Sequence, residues 1–297
     1  MPNYIRGILY TSLAIIFLSP DTLLFRLLDI SPWNVLFWRG LLVTINIGFY
    51  LKINRIPMFE SLIKSGKWGY FIILFDTGSN IFFYSALNLT TAANTLIILS
   101  VVPIFSAILG QICLSERAKP STWLAISVIC PAVILLASGS QHEEGNLIGD
   151  FLALGAAISI SMSLVSARRC GDLNMTPCVG LANLLTAFVA LALITDPISV
   201  FNIDSYSLFL LISMGLCSTL AMTLLVIAPR YISAAEVSLF LPLETIIGSF
   251  LVWYFIDEAI NTRTFIGGAI ILATVFLYSW TSLCNVKFGL QKTAKLQ

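Results

Sequence analysis

Ten runs of nearly uninterrupted apolar residues divide this chain, and no other feature restricts its fold as much. Each run is about 20 residues long, the length that an α-helix needs to cross the hydrocarbon core of a bilayer. The strands of a membrane barrel would alternate apolar and polar residues, which these runs do not. Charged residues make up 10% of the chain and the mean hydropathy is +0.94, whereas soluble domains carry about 25% charged residues. The sequence therefore predicts an all-α integral membrane protein.

The ten runs form two sets of five, because the chain repeats itself after 142 residues. With this shift Tyr84–Glu116 aligns with Val226–Glu258 without a gap, Gly7 aligns with Gly149, and Arg26 aligns with Arg168. We expect a first five-helix repeat at 1–140, a second at 146–286 and a basic tail at 287–297. Five is an odd number, so the second repeat should enter the membrane inverted. Inverted repeats place a binding site at their interface and permit alternating access by rocking.

The ten predicted spans are Ile5–Phe25, Pro32–Leu51, Trp68–Leu87, Ala92–Leu114, Ser121–Ala137, Leu147–Ala167, Thr176–Ile194, Tyr206–Ile227, Ala235–Phe255 and Phe265–Leu283. With the N-terminus inside, 13 of the 16 Lys and Arg residues fall on the inner side, whereas Arg26 and Arg263 are outside and Arg39 lies within a span. Cytoplasmic loops carry an excess of Lys and Arg. The count predicts that both termini are cytoplasmic.

Few residues could support enzymatic chemistry. The chain has no glycine-rich phosphate loop of the Walker type and no metalloprotease or serine-hydrolase motif. Its six cysteines include no closely spaced pair, and its one histidine, His142, lies in a polar loop. We therefore predict that the protein is not an enzyme and has no cofactor and no metal site.

Several short segments resemble the drug/metabolite transporter superfamily, and within it the EamA-type branch. They are Tyr84-Ser85-Ala86-Leu87 before Ala92-Ala93, Pro103, Leu114-Ser115-Glu116-Arg117, Ile148-Gly149-Asp150 and Asp257-Glu258, together with Arg39 early in the second span. The resemblance implies a ten-helix transporter. It does not imply one substrate, because the family moves amino acids, other metabolites and sugar nucleotides. Two departures lie near the expected cavity: Ser19-Pro20-Asp21 replaces a common Trp-Gly pair, and Glu244-Thr245 replaces Glu-Pro.

Four ionisable residues within the spans are the main candidates for a functional site: Asp21, Arg39, Asp76 and Glu244. A charge at mid-bilayer costs about 2.5–3.5 kcal/mol on insertion scales and usually marks a pathway or a paired site. Arg39 could bind an anionic substrate or neutralise Asp21 or Asp76. Glu244 lies near the predicted midplane, where a buried carboxylate could load and release a proton; the alternative for Asp76 and Glu244 is that they only join helices by hydrogen bonds. Its helix also places Glu236, Phe240 and Gly248 at four-residue spacing on the same face.

Further residues complete the predicted pathway. On the third span, Asn80 and Tyr84 share a stripe with Asp76, and we also assign Asn94, Trp38 and Phe240 to the pathway. Pro20, Pro103 and Pro242 each remove a helical hydrogen bond within a span. Interrupted helices at matching positions of two repeats indicate the binding region.

The sequence as a whole predicts a secondary transporter for a small polar metabolite, an amino acid or a related organic ion, with proton-coupled export favoured. The alternatives are an exchanger, a facilitator or an importer of an organic anion, and then a channel or receptor. We expect a small-molecule substrate, the lipid bilayer and optionally protons as partners, no nucleic acid, and a monomer or homodimer. The predicted location is the inner membrane of a bacterium.

Overall fold

The structure is a computed structural model that describes residues 3–28, 30–90, 92–137, 146–194, 200, 203–256 and 262–294. The side chains of 59, 92–94, 97, 136–137, 264 and 282–294 lie outside this description. Every regular element in the described ranges is helical. The polar loop predicted to join the repeats, including His142, falls outside the described residues for the most part.

Seven helices lie in the described part of the first repeat. They are α1 (Asn3–Leu18), α2 (Pro20–Leu27), α3 (Pro32–Ile53), α4 (Met58–Leu89), α5 (Ala92–Leu99), α6 (Val102–Leu114) and α7 (Pro120–Ala137). The second repeat contains α8 (Leu147–Arg169), α9 (Thr176–Leu193), α10 (Ser205–Ile227) with a 3₁₀ turn at Ala228–Arg230, α11 (Ala234–Ser238), α12 (Pro242–Ile256) and α13 (Thr262–Ala294).

These helices form ten membrane-spanning segments in two sets of five, as the sequence predicts. Seven segments are long and apolar enough to cross a bilayer, and three shorter apolar helices, Val102–Leu114, Pro120–Leu135 and Phe265–Thr281, supply the others. The largest differences from the predicted bounds are at α13, which ends at Ala294 rather than Leu283, and at α4, which begins at Met58 rather than Trp68. Gly66 has a φ of 55° and breaks the helical path there. Glycine tolerates this left-handed conformation, so a short helix at 58–65 precedes the span itself.

Three spans are discontinuous, and a proline lies at each break. The first span divides between α1 and α2 at Ser19 and Pro20, and the fourth divides between α5 and α6 just before Pro103. The ninth divides between α11 and α12, and α12 begins at Pro242. Around the last break, the backbone N–H groups of Phe240 and Leu241 bond to carbonyls three residues back, as in a 3₁₀ helix. The breaks of the fourth and ninth spans occupy nearly equivalent places in the two repeats.

Most helix packing crosses the boundary between the repeats. α4 packs against α8 and α9, α3 packs against α9 and α10, α7 packs against α13, and α1 packs against α10. The two repeats are therefore interleaved rather than set side by side. A polar group held between them can be approached by helices of both repeats.

Two glycines at opposite ends of the molecule make equivalent contacts between the repeats. A Cβ atom added to Gly7 would lie 2.6 Å from Cγ2 of Ile232, and one added to Gly149 would lie 2.7 Å from Cβ of Thr90. Ile232 is the repeat counterpart of Thr90, just as Gly149 is the counterpart of Gly7. Each repeat thus places its glycine against the same turn of the other repeat. This reciprocity is the geometry of a two-fold interface.

Candidate functional site

An ion pair between Arg39 and Asp21 forms the centre of the candidate site. The break at Ser19 and Pro20 places Asp21 in the first turn of α2, and Arg39 lies two turns into α3. Nε of Arg39 donates to Oδ2 of Asp21 at 3.1 Å, and both side chains are buried. The sequence left open whether Arg39 pairs with Asp21 or with Asp76, and the geometry favours Asp21.

Ser218 of α10 joins this pair from the second repeat. Its hydroxyl lies 2.9 Å from each carboxylate oxygen of Asp21, and Nε of Arg39 donates to it at 3.0 Å. Ser218 is fully buried. Sequence reasoning missed this residue, although one signal was available: Ser218 lies 142 positions after Asp76 and is its repeat counterpart.

Asn80 and Asp76 of α4 lie on the other side of Arg39. Nη1 of Arg39 donates to Oδ1 of Asn80 at 3.3 Å, and Nδ2 of Asn80 donates to the backbone carbonyl of Asp76 at 3.0 Å. The Asp76 carboxylate is near enough to Arg39 for an electrostatic interaction. However, its Oδ2 atom is buried and accepts no hydrogen bond from any described residue. Asp76 therefore has acceptor capacity that the described part of the protein does not use.

Glu244 and Tyr84 lie within electrostatic reach of the same guanidinium group. Glu244 is half-buried in the first turn of α12, directly after the break in the ninth span. Tyr84 is buried with its ring edge-on to Phe25. Gly248 lies one turn beyond Glu244 on α12, and it does not leave open space there. Instead Gly248 allows α12 to approach α2, because an added Cβ would lie 3.0 Å from Oγ1 of Thr22.

The charges of this site do not balance. Arg39 is the only fully buried basic residue among the described residues, and it faces the three carboxyl groups of Asp21, Asp76 and Glu244. Asp21 takes the direct ion pair. In a low-dielectric interior, uncompensated charge is costly. The two remaining carboxyl groups are therefore suited to hold a proton or to bind a positively charged group.

The other predicted pathway residues lie apart from this cluster or outside the description. Trp38 donates through Nε1 to the carbonyl of Val200 at 3.0 Å, which ties α3 to the segment before α10. Phe240 is buried in an apolar cluster with Ile15 and Ile129. Asn94 belongs to α5, but its side chain lies outside the described residues.

Glu236 has a different position from the one that helical spacing predicted. Because the helix is interrupted at 239–241, Glu236 does not share a continuous face with Glu244. Instead Glu236 forms a capping box with Ser233 at the start of α11. Its carboxylate also accepts hydrogen bonds from Nζ of Lys119 at 2.8 Å and from the hydroxyl of Tyr278 at 2.9 Å. Partial burial opposes the charge of Lys119, but the hydrogen bond to Glu236 raises the pKa of Lys119 above its usual value.

A second ion pair across the repeats lies at the same end of the molecule. Nε of Arg168 donates to both carboxylate oxygens of Glu116, at 3.0 and 3.2 Å, and Nη2 lies 2.9 Å from Oε1. Nη1 of Arg168 donates to the carbonyls of Pro229 and Arg230. Arg168 thereby holds the end of α6 against the 3₁₀ turn of the second repeat.

A cavity of about 410 Å³ lies between these two ion pairs. Its walls come from α6 and the loop after it in the first repeat, and from α8, α11 and the turn before α11 in the second. Both ion pairs contribute side chains to its lining. The sequence did not predict this cavity, because its walls are far apart along the chain.

The sequence model of the EamA-like transporter family matches the chain twice, at residues 5–138 and 147–280. The two matches begin 142 residues apart, which is the shift found from the repeat. Together they cover most of the chain. The protein belongs to the EamA-like transporter family.

Individual proteins resemble this EamA-like transporter over most of its length. An uncharacterized transporter of Methanothermobacter thermautotrophicus is 28% identical over 246 residues, covering 77% of this chain and 69% of the relative. A solved crystal structure of another protein superposes with a TM-score of 0.72 at 15% identity, covering 91% of this chain and 94% of the other. The second likeness concerns the fold alone. The EamA-like transporter is thus a membrane-embedded transporter of a small molecule and not an enzyme.

Proposed function

We propose that the protein is a secondary transporter that moves a small metabolite carrying an amino group, most simply an amino acid, by alternating access coupled to protons. The observation that carries this proposal is the excess of carboxyl groups around Arg39. Asp76 and Glu244 lie near one guanidinium group that is already bound to Asp21. Carboxyl groups with no permanent partner suit a cargo that is itself positive, namely an ammonium group or a proton.

Within this scheme Glu244 is the coupling residue and Asp76 is the partner of the substrate amino group. Glu244 follows the break in the ninth span, so a small movement of α11 against α12 changes its surroundings. The fixed pair of Arg39 and Asp21 joins α3 to α2, and Ser218 joins both to α10. This pair then serves as a rigid wall of the site.

Two ion pairs lie at the end of the molecule that contains Lys119 and Arg168. In this scheme they close that end of the transport pathway during alternating access. Lys119–Glu236 and Glu116–Arg168 each join one repeat to the other. Solvent reaches one or both partners of each pair, because the side chains of Lys119, Arg168 and Glu116 are 57%, 25% and 38% exposed, whereas that of Glu236 is 5% exposed. Water at the exposed partner lowers the cost of separating the charges, so we expect both pairs to open and close during the transport cycle.

The distribution of Lys and Arg supports a cytoplasmic position for both termini. The end that carries Lys119 and Arg168 would then be the cytoplasmic end. A bacterial inner membrane as the location rests on the family resemblance.

Transport can be tested with the purified chain in liposomes. We expect saturable uptake of at least one radiolabelled amino acid from a mixture, increased by an imposed pH gradient and absent from empty liposomes. Flux without saturation would indicate a channel, and the absence of any flux of amino acids would contradict the proposal. Uptake that depends on internal substrate but not on the pH gradient would support the alternative, an exchanger.

A further inference from the structure

The cavity at the inner end contains a buried hydroxyl group that no described residue binds. Ser106 of α6 is 1% exposed and lines the cavity, and its Oγ has no hydrogen-bond partner among the described residues. A serine in a helix commonly donates to the carbonyl four residues earlier. For Ser106 that carbonyl belongs to Val102, and the hydroxyl of Ser161 already donates to it at 3.0 Å.

A buried hydroxyl without a partner is unfavourable, because it has lost its hydrogen bonds to water and gained none in the protein. A ligand or a water molecule in the cavity that forms a hydrogen bond with the Ser106 hydroxyl would remove this cost. The hydroxyl can both donate and accept, so it suits a carboxylate oxygen or a polar group next to one.

Open space lies one turn beyond Ser106 on α6. Gly110 lies one turn further along α6 and also lines the cavity. A Cβ atom added to Gly110 would meet no atom of another element within 4 Å. The volume of about 410 Å³ falls within the range of about 300–1,000 Å³ that is typical of ligand pockets.

The charges that line the cavity favour an anion. Three basic residues, Arg117, Lys119 and Arg168, face two acidic ones, Glu116 and Glu236. Both acidic residues are already paired, with Arg168 and Lys119. Arg117 is exposed and forms no ion pair with a described residue, so one positive charge is left over. A guanidinium group can bind a carboxylate at two points.

We propose that this cavity is a second binding site, separate from the Arg39 cluster, for a small organic anion with a carboxylate group. Arg117 supplies the charge and Ser106 supplies the buried hydroxyl. This proposal rests on the proposed function in one respect, namely that the bound anion is the transported metabolite. The site holds the metabolite at the inner mouth, before the ion pairs between the repeats open.

Binding of succinate and of L-glutamate to the full chain tests the site. The chain is placed in nanodiscs of phosphatidylcholine alone, so that no anionic lipid competes, and binding is measured by calorimetry. Gly110→Leu places an apolar side chain in the cavity, starting from a Cβ that meets no atom within 4 Å, and should abolish binding of at least one of these anions. Arg117→Gln should weaken the same binding about tenfold, the loss expected for one charge-assisted hydrogen bond. Lys64→Gln, which breaks an exposed pair within α4, should leave it unchanged.

The proposal is overturned if neither anion binds the unaltered protein, or if the Gly110→Leu variant binds both as tightly as the unaltered protein. Thermal unfolding of each variant shows whether it is folded. The unfolding temperature of Gly110→Leu should be no lower than that of the unaltered protein, because glycine is a poor helix residue. Failure of transport is a separate result. If the liposomes show no flux but succinate or glutamate still binds and Gly110→Leu abolishes that binding, the inner site stands and the proposed function does not.

Discussion

Ser218 and Asp76 occupy equivalent positions of the two repeats, yet they meet the Arg39 cluster in different ways. The Ser218 hydroxyl bonds directly to both Asp21 and Arg39, whereas the Asp76 carboxylate keeps an unused acceptor atom. Glu244 is also unmatched, because its counterpart is Val102. The site is therefore asymmetric although the fold is repeated.

Replacing Arg39 with Gln should destabilise the protein by about 3–5 kcal/mol, because Asp21 would remain as a buried charge without its partner. Asp21→Asn in addition should recover part of this loss. The measurement is a double-mutant cycle on thermal unfolding of the purified variants. Additive losses would show that the two side chains do not interact.

The Arg39→Lys variant distinguishes a structural role of Arg39 from a role in binding substrate. Lysine keeps the charge but not the planar fork. If Arg39 also binds substrate, this variant should reach the membrane normally and show a weaker apparent affinity in liposome flux. Loss of folded protein would instead assign Arg39 to structure alone.

Glu244→Gln should insert normally and lose gradient-driven accumulation, because the amide keeps the size and hydrogen bonding of the carboxyl group but cannot titrate. It should still exchange substrate for substrate. Flux is measured in proteoliposomes with and without an imposed pH gradient. Full gradient-driven accumulation by Glu244→Gln would exclude it as the coupling residue and make Asp76 the next candidate.

Gly40→Ala should destabilise the protein by about 1–3 kcal/mol, the usual cost of overpacking. An added Cβ would lie 2.7 Å from the backbone carbonyl oxygen of Asn183, which cannot move away without shifting α9. Gly48 lies on the same helix with nothing within 4 Å of its added Cβ, so Gly48→Ala is the matched control. The test compares thermal unfolding of both variants, and equal unfolding temperatures would contradict the packing of α3 on α9.

Lys119→Gln should leave the fold intact and loosen the end of the molecule that contains Lys119 and Arg168. The raised pKa of Lys119 means that its ion pair with Glu236 is present throughout the neutral range and is lost only at strongly alkaline pH. The variant should therefore speed maleimide labelling of a cysteine placed at Ser106, measured in inside-out vesicles against the parent chain. Lys64→Gln, which breaks a pair within one helix, should not. Equal rates in all three would show that Lys119 does not close this end.

The orientation of the chain can be tested by cysteine labelling in intact cells. Cysteines placed at His142 or Asn261 should react with an impermeant reagent added outside the cells. Cysteines placed at Lys64 or Arg169 should react only after the membrane is permeabilised. Reaction at Lys64 from outside would reverse the proposed topology.

Most of the fold could be predicted because its determinants can be read along the chain. The length of an apolar run and the prolines at the breaks depend on nearby residues, and the repeat is visible as a constant shift of 142 positions. The contacts of the site could be predicted only in part. Arg39 and Asp21 could be identified because they are charged residues within spans. Ser218 contacts them only because α10 packs against α2, and the sequence does not specify that packing.

Glu236 shows why the remainder could not be predicted. Regular helical spacing places it on the same face as Glu244, but the helix breaks between them and this spacing is lost. The sequence Ser233-Ala234-Ala235-Glu236 fits a capping box and could have marked a helix start there. Its bonds to Lys119 and Tyr278 depend on tertiary packing, which a single sequence does not specify.

The reciprocal contacts of Gly7 with Ile232 and of Gly149 with Thr90 have a consequence for the origin of the chain. Two separate copies of one five-span protein, inserted in opposite directions, would form each of these contacts once, by symmetry alone. Joining the copies into one chain keeps both contacts and frees each half to change independently. The carboxyl group of Glu244, present in one half only, is a specialisation of the kind that two identical subunits cannot acquire.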